Sequence, residues 1–263
     1  MKQFETIQLE IKNQTARLSL NRPKVRNAFN PQMIAELKEA FTIIGEEKGI
    51  LGLILQGKGP VFSAGADLHW MKDTMDYTYE QNARDNENLR DLFEKLYNLP
   101  VPTIALVHGA CIGGANGLAA ASDIVLAEQD TQFRFSEVRI GLVPATIAPY
   151  VIRRTGEFAA KYYMLTGKVF RDEEALRIGL INARGNRESL DTELDIIIRA
   201  LNKNSLQAMR STKKLINQIC RSAQQDYIKK ITVETIAEAR ISEDGQEGMQ
   251  SFLEKRYPRW YNE

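Results

Sequence analysis

The 263-residue sequence has only two cysteines, Cys111 and Cys220, and two histidines, His69 and His108. Two distant cysteines without C-x-x-C spacing make no disulfide framework and no zinc knuckle, so a reducing cytoplasm is the expected setting. Two histidines cannot build a His-based metal cluster, and no metal is expected. An excess charge is missing too: 35 Lys and Arg face 34 Asp and Glu, a net +1. Neither nucleic acid nor a membrane surface is therefore indicated as a partner. No run is long and apolar enough to span a bilayer, and the opening MKQFETIQLEIKN alternates like a strand without a signal peptide's apolar core. Linkers, low-complexity stretches and alignable repeats are absent as well. With 43% hydrophobic residues the chain can bury one sizeable core, and a single domain is expected.

What is present is organised around Thr103–Asp123. Thr103–Val107 is β-branched and apolar, and reads as a buried strand. Gly113 and Gly114 follow, then a small-residue run from Ala115 to Ser122 with helix-forming alanines. Glycines opening a helix let a ligand approach the backbone and leave N–H groups unpaired at its positive end. A second glycine turn, Phe62–Leu68 (FSAGADL), follows the strand Leu51–Gln56. Two strand-to-glycine-turn units suit an oxyanion hole made of two separate backbone N–H groups, around a carbonyl or thioester oxygen that gains charge as an enolate.

Around these units, Thr6–Ile11 and Ala16–Leu20 read as a hairpin, and Asn30-Pro31 as a helix start, with Gly45 and Gly49 ending that helix. Asn21–Asn30 is a polar loop with Lys24 and Arg26. His69–Asn98 is polar, its second half an amphipathic helix through Leu89, Leu92, Phe93 and Leu96. Ile124–Ala127 and Phe133–Phe135 read as short strands. Beyond about residue 146 the periodicity is helical, with breaks at Gly156, Gly167 and Gly185 and long helices over Asn204–Arg221 and Gln224–Ile241. Enolate chemistry also needs a proton carrier, and with histidine scarce a carboxylate is the candidate. Asp67 could serve or could cap its turn, and Asp123 suits a structural hydrogen bond. Glu137 sits in the apolar stretch FRFSEVRIGL, where burial raises a carboxyl pKa.

FSAGADL, HGACIGGANGLAAASD, FSEVRIGLVPA and EGMQSFLEKRYP, in this order, resemble the motifs of the enoyl-CoA hydratase/isomerase (crotonase) family over essentially the whole chain. The resemblance implies an α/β fold of β-β-α turns wound as a spiral (1–200), with a C-terminal helical region (201–263) that mediates trimers, often paired into hexamers. It implies an acyl-CoA substrate and no cofactor apart from the coenzyme A that the substrate carries. The oxyanion donors fall on Ala66 and Gly114, the acid/base on Glu137. Arg26, Ala28, Ala64 and Asp67 match the acyl-CoA cradle, Gly113 and Gly117 line the substrate, and Phe252 and Lys255 match positions that reach a neighbouring subunit's CoA.

The family's hydratases carry two glutamates. The second aligns with Glu137, but the first aligns with Gly117, and neighbouring Asn116 cannot act as a base. A lone acid is also what the family's Δ3,Δ2-enoyl-CoA isomerases look like. GADLHWM and SEVRIGLVPATIAPYVIRR are nevertheless similar to bacterial methylglutaconyl-CoA hydratases and to dehydratases of hydroxymethylglutaryl thioesters. Both handle a branched chain ending in a carboxylate, for which Arg139 and Arg153 are candidate partners. The expectation is hydration by Glu137, with isomerisation or acyl-CoA binding without turnover as alternatives. A dinucleotide-dependent oxidoreductase is disfavoured, because no G-x-G-x-x-G is present.

Overall fold

The computed structural model describes residues 3–222, 224, 231, 233–236, 238, 239 and 242–261, except for the side chain of Phe252. The strands are β1 (Ile7–Lys12), β2 (Thr15–Leu20), β3 (Gly52–Gly57), β4 (Thr103–Val107), β5 (Ala110–Ile112), β6 (Ile124–Glu128), β7 (Gln132–Arg134), β8 (Phe170–Arg171) and β9 (Ala183–Gly185). A six-stranded sheet runs β1-β2-β3-β4-β6-β9, and a small one runs β5-β7-β8. Only β1 is antiparallel to its neighbour in the large sheet. The passes β4–β5 and β6–β7 each place one strand in the large sheet and the next in the small one, the α/β winding expected of a β-β-α spiral. Asn13 and Gln14, both at positive φ, form the two-residue turn of the β1–β2 hairpin.

Helices α1 (Pro31–Glu46), α2 (Leu68–Asp73), α3 (Tyr79–Tyr97) and α4 (Ala115–Ala121) cover one face of the large sheet. Asn30 caps α1, its side chain accepting from Met33 N at 2.9 Å, with Pro31 in the first turn. The expected stop at Gly45 is corrected: α1 continues to Glu46, because Ile44 is fully buried and holds that last turn, and Gly49, at φ +92°, makes the exit. The helix expected from Leu89 starts ten residues earlier. Thr78 and Gln81 form a capping box there, and the exposed first half of α3 needs no apolar stripe.

Then come α5 (Ala148–Thr155), α6 (Glu157–Thr166), α7 (Asp172–Arg177), α8 (Arg187–Asn202), α9 (Leu206–Arg221) and α10 (Glu243–Glu254). Leu190 and Leu194 of α8 close the sheet's other face over Ile54, Ile104 and Leu126. Gly156 and Gly167 end α5 and α6 as expected, whereas Gly185 lies in β9. The helix expected over 224–241 lies largely outside the described residues. No described helix is long and apolar enough to cross a membrane.

Candidate active site

The two glycine turns lie against each other. Ser63 N donates to Ala110 O and Ile112 N donates to Ser63 O, both at 3.1 Å, so the turn after β3 is hydrogen-bonded to β5. Gly65 has φ +91°, and a Cβ there would stand 2.8 Å from Ile112 O. Only glycine allows that conformation and approach together. The amides beside Ala66 are used within the protein: Gly65 N donates to Ser63 Oγ and Asp67 N to Phe29 O. Ala66 N and Gly114 N meet no protein acceptor among the described residues, while Gly113 N donates to Arg134 O at 2.8 Å. Ala66 is exposed and Gly114 half-buried, and the two residues stand at adjoining turns.

Glu137 reaches this junction from the short 3-10 turn Glu137–Ile140 that follows β7. A Cβ on Gly113 would lie 3.4 Å from Glu137 Oε1 and 3.4 Å from Ser136 Oγ. The carboxyl therefore stands directly over the glycine that precedes one of the unused donors. Its Oε2 is buried and has no hydrogen-bond partner among the described residues. Burial raises its pKa above the ordinary carboxylate range, and the Ser136 and Glu137 amides oppose this only weakly.

Where a second acid would align, the space is filled. A Cβ on Gly117 would fall 2.5 Å from Ile147 Cγ2 and 2.6 Å from both Cε1 and Cζ of Phe93. Phe93 is fully buried and Ile147 is 1% exposed. Phe93, at one turn before the end of α3, and Ile147, just before α5, thus wall the site with hydrocarbon. Asn116 holds the turn: its Nδ2 donates to Gly113 O and Arg134 O.

The remaining expected residues divide. Ala64 N donates to Arg26 O, and Phe29 N to Gly65 O, so Arg26, Ala28 and Ala64 border the first turn. Ala28 O accepts from Arg22 Nη1, and the Arg26 side chain is exposed. The Asp67 carboxylate is structural in this fold: it caps α2 by accepting from His69 N and pairs with Arg22 at 2.8 Å. Asp123 accepts from Thr103 N and Oγ1 and pairs with Lys213 at 2.6 Å, the structural bond expected of it. Arg139 packs on Gly167, away from the α3–α5 groove, whereas Arg153 lines that groove. Lys255 stands exposed just past α10 with no hydrogen bond or ion pair to either turn, and the side chain of Phe252 lies outside the described residues. Cys111 is fully buried, and burial pushes its thiol far up, so it acts as an apolar core residue. Among the described residues no group of three or more His, Cys, Asp or Glu is close enough to hold a metal ion.

Sequence reasoning missed Asn27. Its Nδ2 donates to the carbonyls of Lys58, Val61 and Phe62, and its own carbonyl accepts from Ser63 Oγ, which fixes the approach to the first turn. Phe93 was legible only as part of the apolar face of its helix, and Ile147 carried no signal of its own.

Fold and site together bring two unused backbone donors and one carboxyl to adjoining turns, an arrangement able to hold a carbonyl oxygen and to move a proton beside it. The chain belongs to the enoyl-CoA hydratase/isomerase family, which it matches over residues 10–263. It is 33% identical to the crotonyl-CoA hydratase of Syntrophomonas wolfei over 96% of each chain. It is 29% identical to a trans-2-decenoyl-acyl-carrier-protein isomerase of Streptococcus mutans over 98% of each. The crystal structure of an enoyl-CoA hydratase from Shewanella pealeana superposes with a TM-score of 0.94 at 38% identity, covering 98% of this chain and 97% of that one.

Proposed function

We propose that the protein adds water to a 2-enoyl-CoA, or removes it from the 3-hydroxyacyl-CoA, with Glu137 as the only acid/base. The observation that carries this reading is the Glu137 carboxyl over Gly113, beside the unused amides of Ala66 and Gly114. Those amides hold the thioester oxygen as it becomes an enolate oxyanion; one such donor is worth about 3–4 kcal/mol at the transition state. Ionised Glu137 takes a proton from water while the water oxygen bonds to Cβ. The proton then passes from Glu137 to Cα as the enolate collapses, and the carboxylate is restored. Reversal gives dehydration. The buried, unpartnered Oε2 supports a carboxyl kept free for such transfers.

The substrate we favour is a branched dicarboxylic acyl chain such as 3-methylglutaconyl-CoA, on the similarity of its motifs. Arg26, Ala28 and Ala64 form the CoA-facing rim of the site, with Lys255 and Phe252 serving a neighbouring subunit. Homotrimers, alone or paired into hexamers, are supported by exposed apolar residues such as Phe158 and Leu165 on α6 and by the absence of any buried residue on α9. The low cysteine count supports a cytoplasmic setting.

The hydrocarbon wall of Phe93 and Ile147 favours a second reading, Δ3,Δ2-enoyl-CoA isomerisation, in which Glu137 moves one proton between two carbons. Purified protein incubated with 3-methylglutaconyl-CoA, and separately with a 3-enoyl-CoA, separates the two through the conjugated thioester absorbance. Glu137→Gln should lose turnover by about 10²–10⁴-fold while CoA-ester binding persists. Full turnover in that variant would refute both readings, and wild-type binding without any turnover would leave an acyl-CoA-binding protein.

A further inference from the structure

A cavity of about 530 Å³ opens between α3 and α5, lined by arginines from three elements: Arg90, Arg153 and Arg221. It adjoins the site just described. Ala145 and Thr146, which line it, continue the Glu137 turn, and Ile147 next to them abuts Gly117. Tyr150 also lines it, and its ring meets Phe93 edge-on at 6.2 Å.

The charges in this cavity do not cancel. Arg221 pairs with Glu94 at 2.8 Å, and Glu94 also accepts from Tyr150 Oη at 3.0 Å and Asn98 Nδ2 at 2.8 Å. Burial works to raise the Glu94 pKa, but Tyr150, Asn98 and Arg221 outweigh it and hold the carboxyl below its usual value, so this pair is self-contained. Among the described residues Arg90 pairs with its neighbour Asp91 alone, at 3.4 Å. Arg153 has no carboxylate partner among the described residues; its guanidinium rests 5.5 Å from the centroid of the Tyr97 ring, and that of Arg221 rests 5.4 Å from the same centroid. An aromatic ring orients a guanidinium without neutralising it. Glu87 is the one other carboxylate on the cavity wall, and among the described residues no ion pair joins it to Arg153, so the Arg153 charge stands unpaired in the cavity.

We infer that this cavity receives the far end of the acyl chain and that Arg153 is the residue selecting chains that end in a carboxylate. The inference rests on the acyl-CoA reading above and adds to it the residue that sets chain specificity. A guanidinium offers a carboxylate two parallel donors, a geometry lysine lacks.

The test uses two saturated thioesters that can neither hydrate nor isomerise, 3-methylglutaryl-CoA and isovaleryl-CoA. They share the CoA and the branch, and differ in the terminal carboxylate. Dissociation constants are measured by calorimetry for the wild type, Arg153→Met and Arg153→Lys, with free CoA as a third ligand. The wild type should bind the carboxylate-ended ester more tightly. Arg153→Met should reduce that preference about 10- to 100-fold, the range for a hydrogen bond to a charged group, and Arg153→Lys should recover part of it. Equal affinity of the wild type for both esters would overturn the inference. So would a loss in Arg153→Met shared equally by both esters and free CoA, which would assign the cavity to the phosphates of CoA. Because neither ester reacts, the result is independent of whether Glu137 performs the chemistry.

Discussion

Substituting Gly117 by alanine tests whether the missing acid has been replaced by packing. In the middle of α4 the exchange should help, since alanine exceeds glycine in helix propensity by about 1 kcal/mol. Against this stands the new methyl group, 2.5 Å from Ile147 Cγ2 and 2.6 Å from two carbons of the Phe93 ring. Both side chains are essentially fully buried in a close-packed core and have little room to withdraw. Overpacking costs about 1–3 kcal/mol, and contacts this short on two rigid neighbours belong at the upper end. The net expectation is a loss of about 1–2 kcal/mol, or roughly 2–4 °C in Tm for each kcal/mol in a chain of this size. Thermal and urea unfolding of the wild type, Gly117→Ala, Phe93→Leu and the double variant close the cycle. The double variant should be less destabilised than the sum of the singles by at least about 0.5 kcal/mol. Gly117→Glu would add a buried charge several kcal/mol out of place and should not gain hydratase activity. A Gly117→Ala protein as stable as the wild type, or more so, would refute the reasoning, because a second acid or a water could then stand there.

Glu137 governs two pH dependences. In the proposed hydration Glu137 acts in its ionised form, so the acid limb of kcat/KM should rise with an apparent pKa above the ordinary value of about 4.3. Stability has the opposite sign: the folded protein holds this proton longer than the unfolded chain, so stability falls as pH rises from about 4.3 through the folded pKa and is flat above it. Glu137→Gln should therefore gain on the wild type across that window, by about 1.4 kcal/mol per unit of elevation, and urea midpoints at pH 4 and pH 8 that differ equally for the two proteins would contradict this. Gly113→Ala would hold a non-glycine residue at φ +55°, costing about 1–2 kcal/mol, and would put a methyl 3.4 Å from Glu137 Oε1. Its kcat should fall at least about tenfold with KM less affected; a rise in KM at unchanged kcat would place the reacting carbon elsewhere.

The parts of the site built from neighbouring residues were legible in the sequence. A strand followed by Gly113-Gly114, or by Ala64-Gly65-Ala66, carries its own backbone requirement, and Asn30-Pro31 carries its own cap. β5, β8 and β9 were not legible, since segments of two or three residues have no periodicity and exist because a neighbouring strand pairs with them. Gly117 shows the boundary most sharply. Alignment of motifs presents it as an acid that is absent, and only the arrival of Phe93 from α3 and Ile147 from the Glu137 loop gives the glycine a positive role. Arg139 and Arg153 were equivalent candidates in the sequence for the same reason, and contacts alone, with Gly167 and with Tyr97, separate them.

A single carboxyl beside an enolate also constrains stereochemistry. Two acids on different elements could deliver hydroxyl and proton to opposite faces of the enoyl plane. In the proposed reaction the plane is held at one end by the amides of Ala66 and Gly114, and the hydrocarbon of Phe93 and Ile147 stands where the second acid would be. Glu137 is then the one group that can both receive the water proton and return it, and it reaches one face. Water oxygen and Cα proton must therefore add from that face, a syn addition. In D2O, hydration of a straight-chain 2-enoyl-CoA, whose product keeps a hydrogen on Cβ, should place deuterium at Cα syn to the new hydroxyl, with the configuration read by NMR coupling constants. In the isomerase reading the same geometry requires the migrating proton to leave and return on one face, with partial retention of label when transfer outruns exchange with solvent. Anti addition would require a second proton carrier facing Glu137 across the substrate, and no described residue at the two glycine turns supplies one.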